Sequence, residues 1–251
     1  MNLYRLICGL VEYFFIYFIG FFELNDSVMK EGIKPFLFLC LDDISKQTDK
    51  RDNADGMVKC CYENGRIKAA VNFKDGKPEG IGRAFYDNGC LKVAVSFKDG
   101  KLEGSSREYY DNATLKEEAY HKDGKLEGVG KIYYENGQIM AEFNFADGKL
   151  EGLSKAYYEN GVLKHEAYYK GSKKNGIQKR YYEDGKLKKT ANFKDNKLDG
   201  IVKAYYKSGN LWMEIAEKDG KLLFACYDEQ GNKRKCTEDE IELNNEYSTV
   251  Q

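Results

Sequence analysis

The stretch KDGKLEG, Lys98 to Gly104, returns letter for letter at Lys122 to Gly128, with near copies at Lys74 to Gly80 and Ala146 to Gly152. The closing glycines of this phrase and its eroded forms stand at 80, 104, 128, 152, 176 and 200, always 24 residues apart. A fixed period of this length means one supersecondary unit stacked on copies of itself. A second phrase, YYENG, alternates with the first at Tyr133 to Gly137 and Tyr157 to Gly161. Its variants run from Cys61 to Gly65, Phe85 to Gly89, Tyr109 to Ala113, Tyr181 to Gly185 and Tyr205 to Gly209. Asp-Gly and Asn-Gly between β-favouring residues are hairpin signals, because both turn positions need positive φ. Each unit therefore holds two turns and two short strands, and the chain is predicted to be an elongated antiparallel meander of about seven 24-residue hairpins.

Two-residue turns at Asn88-Gly89 and Asp99-Gly100 fix the strand register. They place Tyr86 opposite Leu91, Ala84 opposite Val93, Gly82 opposite Val95, Gly80 opposite Phe97, and Phe97 opposite Leu102. Cross-strand partners share a face, so one side of the sheet is apolar, and the glycines are expected to make room for the Phe97 ring. The other side carries Lys59, Arg83, Arg107, Lys131, Lys155, Lys179 and Lys203, one base per unit. The same register sets Arg107 against Glu118, Lys131 against Glu142, Lys155 against Glu166 and Lys203 against Glu214. Tyr109, Tyr133, Tyr157, Tyr181 and Tyr205 point the same way, beside Val129, Leu153, Ile177 and Ile201. That pattern suits both a solvated face held by ion pairs and a surface that binds another protein. Trp212, the sole tryptophan, stands in the column of Lys68, Lys92, Lys116, Lys164 and Lys188. Two readings apply to it: a hot spot on the polar face opposite Tyr205, or a ring covered by the carboxy-terminal tail.

Lys and Arg total 40 against 41 for Asp and Glu, so no basic excess announces a nucleic-acid partner. Cysteines at 8, 40, 60, 61, 90, 226 and 236 show neither a disulfide framework nor zinc spacing, which leads to the expectation of a reducing compartment. The two histidines, His121 and His165, stand near no nucleophile. Repeated columns spread the same groups along a rod, whereas catalysis needs one fixed constellation. No catalytic, cofactor-binding or metal-binding residue is expected.

The phrase DGKLEGxxKxYYENGxLKxE resembles the variant MORN (membrane occupation and recognition nexus) repeat of bacterial YwqK-type antitoxin-like proteins, over about Gly56 to Tyr227. The resemblance implies an elongated sheet of hairpins, no catalysis of its own and a role in binding, with a toxin as the partner that the label suggests. Lys170 to Gly176 (KGSKKNG) and Asn112-Ala113 depart from the phrase, and looser turns are expected there. Residues 51–227 form the array. Residues 228–251 form a degenerate hairpin and a charged tail, in which Thr237 to Glu240 resembles a capping box for a short helix. Residues 1–50 lie outside the resemblance. There Leu3 to Phe22 is apolar enough to enter a membrane as a helix, or to cap the first repeat. The lysines after this stretch would leave the repeats in the cytoplasm. Two roles follow, a protein-binding module and a membrane-associated spacer.

Overall fold

The computed structural model describes residues 55–218 and 221–242. The apolar stretch Leu3 to Phe22, with its anchor and cap readings, lies outside them. Among the described residues no helix is long and apolar enough to cross a membrane.

Among the described residues nineteen strands form one sheet. The first eight are β1 (Gly56–Cys61), β2 (Ile67–Lys74), β3 (Lys77–Phe85), β4 (Leu91–Lys98), β5 (Lys101–Tyr109), β6 (Leu115–Lys122), β7 (Lys125–Tyr133) and β8 (Ile139–Ala146). Then come β9 (Lys149–Leu150), β10 (Gly152–Tyr157), β11 (Leu163–Lys170), β12 (Lys173–Lys174), β13 (Gly176–Tyr181), β14 (Leu187–Lys194), β15 (Lys197–Leu198) and β16 (Ile201–Tyr205). Last are β17 (Leu211–Lys218), β18 (Lys221–Tyr227) and β19 (Lys233–Arg234), followed by the helix α1 (Glu238–Glu242). Neighbours along the chain pair antiparallel throughout, with β9 and β10, β12 and β13, and β15 and β16 acting as halves of single strands. The architecture is the expected open meander.

The KDG turn closes as derived. Asp99 and Gly100 both take positive φ (50° and 81°), and Phe97 pairs with Leu102. The YYENG-type turn differs. Gly89 alone has positive φ (92°), its N–H donates to the Tyr86 carbonyl, and Asn88 Oδ1 accepts the Cys90 N–H at 2.8 Å. The loop is thus three residues long, and the register slips by one between Ala84 and Phe85. Gly80–Phe97, Gly82–Val95 and Ala84–Val93 stand as expected, but Leu91 pairs with Phe85 and leaves the apolar face. The asparagine prefers to serve as acceptor for the N–H two residues on, and this displaces the turn that Asn-Gly alone suggests.

Repeats are stitched together along both long sides. On one, the second tyrosine of each YYENG-type phrase donates its hydroxyl to a carbonyl 23 residues on: Tyr62 to Phe85, Tyr86 to Tyr109, Tyr110 to Tyr133, Tyr134 to Tyr157, Tyr158 to Tyr181 and Tyr182 to Tyr205. Tyr206 reaches Tyr227 in the same way. On the other side the glutamate of KLEG accepts the N–H that opens the next KDG turn, as Glu79 does from Asp99 (2.9 Å) and Glu103 from Asp123 (2.7 Å). Gly100 and Gly124 add bonds to the Pro78 and Leu102 carbonyls of the preceding turns. The recurrent phrase therefore encodes a turn and the clasp for the turn after it. Removing one clasp, Tyr134→Phe, should cost about 1 kcal/mol, readable as faster amide exchange in the two repeats it joins.

Ala113 (φ 66°) and Ser172 (φ 68°) replace turn residues suited to positive φ. Their turns nevertheless close with the same bonds, Ala113 N–H to Tyr110 and Ser172 N–H to Leu150, so they are not looser. The cost appears as backbone strain of about 1 kcal/mol at Ala113. Ala113→Gly should recover it as a higher denaturation midpoint.

One face of the sheet is buried, in three apolar clusters centred on Val93 and Val95, on Ala141 and Phe143, and on Met213 and Ile215. The Phe97 ring lies over Gly82, where an added Cβ would meet it at 3.0 Å, and not over Gly80. Gly80 supplies positive φ (76°) instead. Polar groups separate the clusters. Glu108, Ser106 and His121 lie buried between the first and second, and His165, Lys174 and Gln178 between the second and third.

Candidate functional site: the open face of the sheet

The opposite face is open, and its centre is one row of side chains that crosses fifteen paired strand positions. In order it reads Lys59, Ala70, Arg83, Ala94, Arg107, Glu118, Lys131, Glu142, Lys155, Glu166, Lys179, Thr190, Lys203, Glu214 and Ala225. The four cross-strand pairs derived from the sequence all occur in it. Nζ or Nε to carboxylate distances are 3.8 Å for Arg107–Glu118, 3.9 Å for Lys131–Glu142 and 3.4 Å for Lys203–Glu214, while Glu166, opposite Lys155, is held at 3.1 Å by Lys179 on its other side. Solvated pairs of this kind contribute little each, about 0–1 kcal/mol.

Two further rows flank the charges. On one side stand Met57, Ile81, Tyr120, Val129, Leu153, Tyr168, Ile177, Ile201 and Leu223, whose exposure runs from 39% at Leu153 to 63% at Met57. Pairings such as Leu153–Tyr168 and Ser105–Tyr120 place them in a common line. The sequence pattern pointed to Val129, Leu153, Ile177 and Ile201. Tyr120 and Tyr168 escaped because they occupy the intervening strands, where the column otherwise holds Asn, Ser or Ala.

On the other side stand Tyr109, Tyr133, Tyr157, Tyr181 and Tyr205, all half-buried. Three of them are engaged. Tyr133 donates to Glu118 (2.7 Å), Tyr157 to Glu142 (3.0 Å) and Tyr181 to Glu166 (2.9 Å). Burial together with the adjacent carboxylate pushes each of these hydroxyls up to about 12. They are neutral donors over the whole physiological range. Glu118, Glu142 and Glu166 thus each sit between two bases and under one tyrosine hydroxyl.

Trp212 is displaced from this face. The register slips between Ala204 and Tyr205, so Tyr205 pairs with Leu211 and Trp212 is the extra residue of a bulge. Its ring packs beside Tyr206 (centroids 6.2 Å apart) and against the third apolar cluster. Its Nε1 donates to Glu240 at 2.8 Å, so the carboxy-terminal tail covers it. The lysines of its column follow the same bulge. Lys68, Lys92, Lys116, Lys164 and Lys188 lie over the rings of the clasp tyrosines, and Lys116 also pairs with buried Glu108 at 3.0 Å.

The tail forms a cap. Thr237 Oγ1 accepts the Glu240 N–H while Glu240 accepts the Thr237 N–H, and Arg234 grips the same carboxylate. Cys226 and Cys236 are joined by a disulfide with Cα atoms 5.3 Å apart. The cysteine spacing gave no sign of this bond, since only the fold-back of the tail brings the two together. Among the described residues no group of three or more His, Cys, Asp or Glu side chains is placed to hold a metal ion.

The model of the MORN repeat variant matches residues 126–147, 150–170, 174–195 and 198–215. Repeats of that family are protein- or membrane-binding elements and are in general not enzymatic. No curated protein matches the chain. Among solved structures, TarM is similar at 14% identity over 63% of this chain and 24% of its own, with a TM-score of 0.20. A mutant of S. aureus TarM in complex with Fondaparinux, alpha-GlcNAc-glycerol and UDP matches at 13% identity, over 78% and 32%, with a TM-score of 0.21. The chain spans about a quarter to a third of those proteins. At such scores the likeness carries no argument about what this chain does.

Proposed function

We propose that this protein is a non-catalytic protein-binding module that takes its partner on the open face of the sheet. The observation that supports it is the exposed aliphatic and aromatic row from Met57 to Leu223, which recurs in nearly every repeat of the array with small or polar residues between. Large apolar side chains exposed repeatedly along one line mark an interaction surface, because leaving them in water is unfavourable without a use. The charged row beside it would set register and orientation, and the rings of Tyr109, Tyr133, Tyr157, Tyr181 and Tyr205 would border the contact on its far side. Trp212 would contribute only through the cap that holds the end of the array. Within this reading a toxin is the partner class that the YwqK-type resemblance suggests.

Ile177→Lys with Ile201→Lys tests the reading. Both side chains are more than half exposed (58% and 51%), so the fold and its melting midpoint should persist. Capture of a partner, identified by crosslinking to the full chain and then rebuilt from purified components, should fall at least tenfold. Unchanged affinity in the double variant would sink the proposal.

A further inference from the structure

The row of charges carries its own template for recognising a carboxylate. At Glu118, Glu142 and Glu166 an acid stands with a base on each adjacent strand and receives a hydroxyl from the tyrosine fifteen residues on. Glu214 repeats the theme with Lys203 and with Tyr227, whose hydroxyl reaches it at 3.3 Å. In the second repeat the same position is Ala94. The surrounding groups are nonetheless kept: Arg83 and Arg107 are its partners on the two adjacent strands, and Tyr109 occupies the place of the donating tyrosine fifteen residues on.

Arg83 faces alanine on both sides, Ala70 and Ala94, and is exposed, as are Lys59 and Arg107. Arg107 has one acid, Glu118, at 3.8 Å. The beginning of the row is thus basic, with Lys59, Arg83 and Arg107 separated only by alanines. Strand spacing of about 4.8 Å puts neighbouring bases about 10 Å apart with a gap between them. Met57 and Ile81, exposed at 63% and 52%, line the same stretch. Thr190 also interrupts the acids, but its neighbours Lys179 and Lys203 already hold Glu166 and Glu214.

We infer that the gap over Ala94 is a carboxylate-binding site, filled by an Asp or Glu side chain of a protein partner that sits between Arg83 and Arg107 beneath the Tyr109 hydroxyl. Guanidinium groups favour this ligand, since their paired N–H donors match the two oxygens of a carboxylate. The flanking Met57 and Ile81 suit a segment in which acidic and aliphatic residues alternate. This site deepens the protein-binding reading above and rests on it.

The test uses the full chain and a labelled synthetic peptide of alternating glutamate and isoleucine, beside its glutamine counterpart. The glutamate peptide should bind at least tenfold more tightly, and the difference should shrink as salt rises. Ala94→Glu supplies the missing acid from within the chain. It should keep the melting midpoint at or above that of the parent and weaken the glutamate peptide at least tenfold. Tyr109→Phe should weaken it severalfold. Equal binding of the two peptides, no binding of either, or undiminished binding by Ala94→Glu overturns the inference. Displacement by inorganic phosphate at the concentration of the peptide itself would make this a phosphate site and overturn it too. The protein-binding reading fails separately, if the Ile177 and Ile201 variant keeps its partner.

Discussion

Glu117→Val should raise the stability of the array, and by far more at pH 8 than at pH 4.5. Glu117 lies on the buried face directly opposite Glu108, at the position that Val93 and Ala141 fill in the neighbouring repeats. Glu108 is 3% exposed; one of its oxygens accepts Lys116 and the other has no partner. Burial, and then the charge of Glu108, push the Glu117 carboxyl up to about 7. Val93 and Ile132 face this pair from the adjacent strands, so Lys116 is the cation that offsets it, and Tyr86 and Tyr110 border it on the same side. A carboxyl raised in the folded state contributes its full stability below its unfolded value near 4.5. That stability drains away as pH rises toward 7. At about 1.4 kcal/mol per pH unit the loss is on the order of 3 kcal/mol. Valine removes the titration and adds buried apolar surface. Thermal midpoints measured from pH 4.5 to 8 should slope downward for the parent between about 4.5 and 7, and that step should vanish in the variant. Parallel slopes for the two proteins would refute the assignment.

The limits of sequence reading follow from the same residues. The period, the two turns per unit and the pairing of Arg107 with Glu118 were legible because β-alternation has an integer period, and a wrong register would have reversed every face. What Asn88 does was not legible. Its side chain competes for the backbone N–H of Cys90, and this local bond adds a residue to the loop. The resulting bulge moved Leu91 to the open face and the lysine column with Trp212 away from it. The clasps between repeats were hidden for another reason. A hydroxyl that reaches a carbonyl 23 residues on depends on how hairpins stack, not on how each one folds. The open carboxylate position is different again, since it shows only as an alanine in a column that elsewhere holds four glutamates, another alanine and a threonine. It acquires meaning only once Arg83, Arg107 and Tyr109 are known to surround that column.

Reducing the Cys226–Cys236 disulfide should release the cap and expose the sole tryptophan, which makes the event directly visible. Cys226 is fully buried within the third apolar cluster, and the bond closes a loop of ten residues by sequence separation. Loops of that size are worth about 2–4 kcal/mol through restriction of the unfolded chain. The last hairpins of a repeat array have a neighbour on one side only, so this loss falls on the end that can least absorb it. Trp212 then loses both the Glu240 carboxylate and the tail that covers its ring. Its emission should shift to longer wavelength on reduction, with the melting midpoint of the terminal unit lowered by several degrees. Trp212→Lys, which restores the residue of the other repeats, should lower that midpoint similarly without any reductant. Acid should mimic both. The guanidinium of Arg234, with the Thr237 N–H, holds the Glu240 carboxyl down to about 2, so its stabilisation is present above about 4.5 and is lost as pH falls toward 2. A reduced protein whose tryptophan emission and midpoint match those of the oxidised form would show that the helix and its ion pair close the array unaided. The disulfide would then be a passenger on a cap that Arg234 and Glu240 already secure.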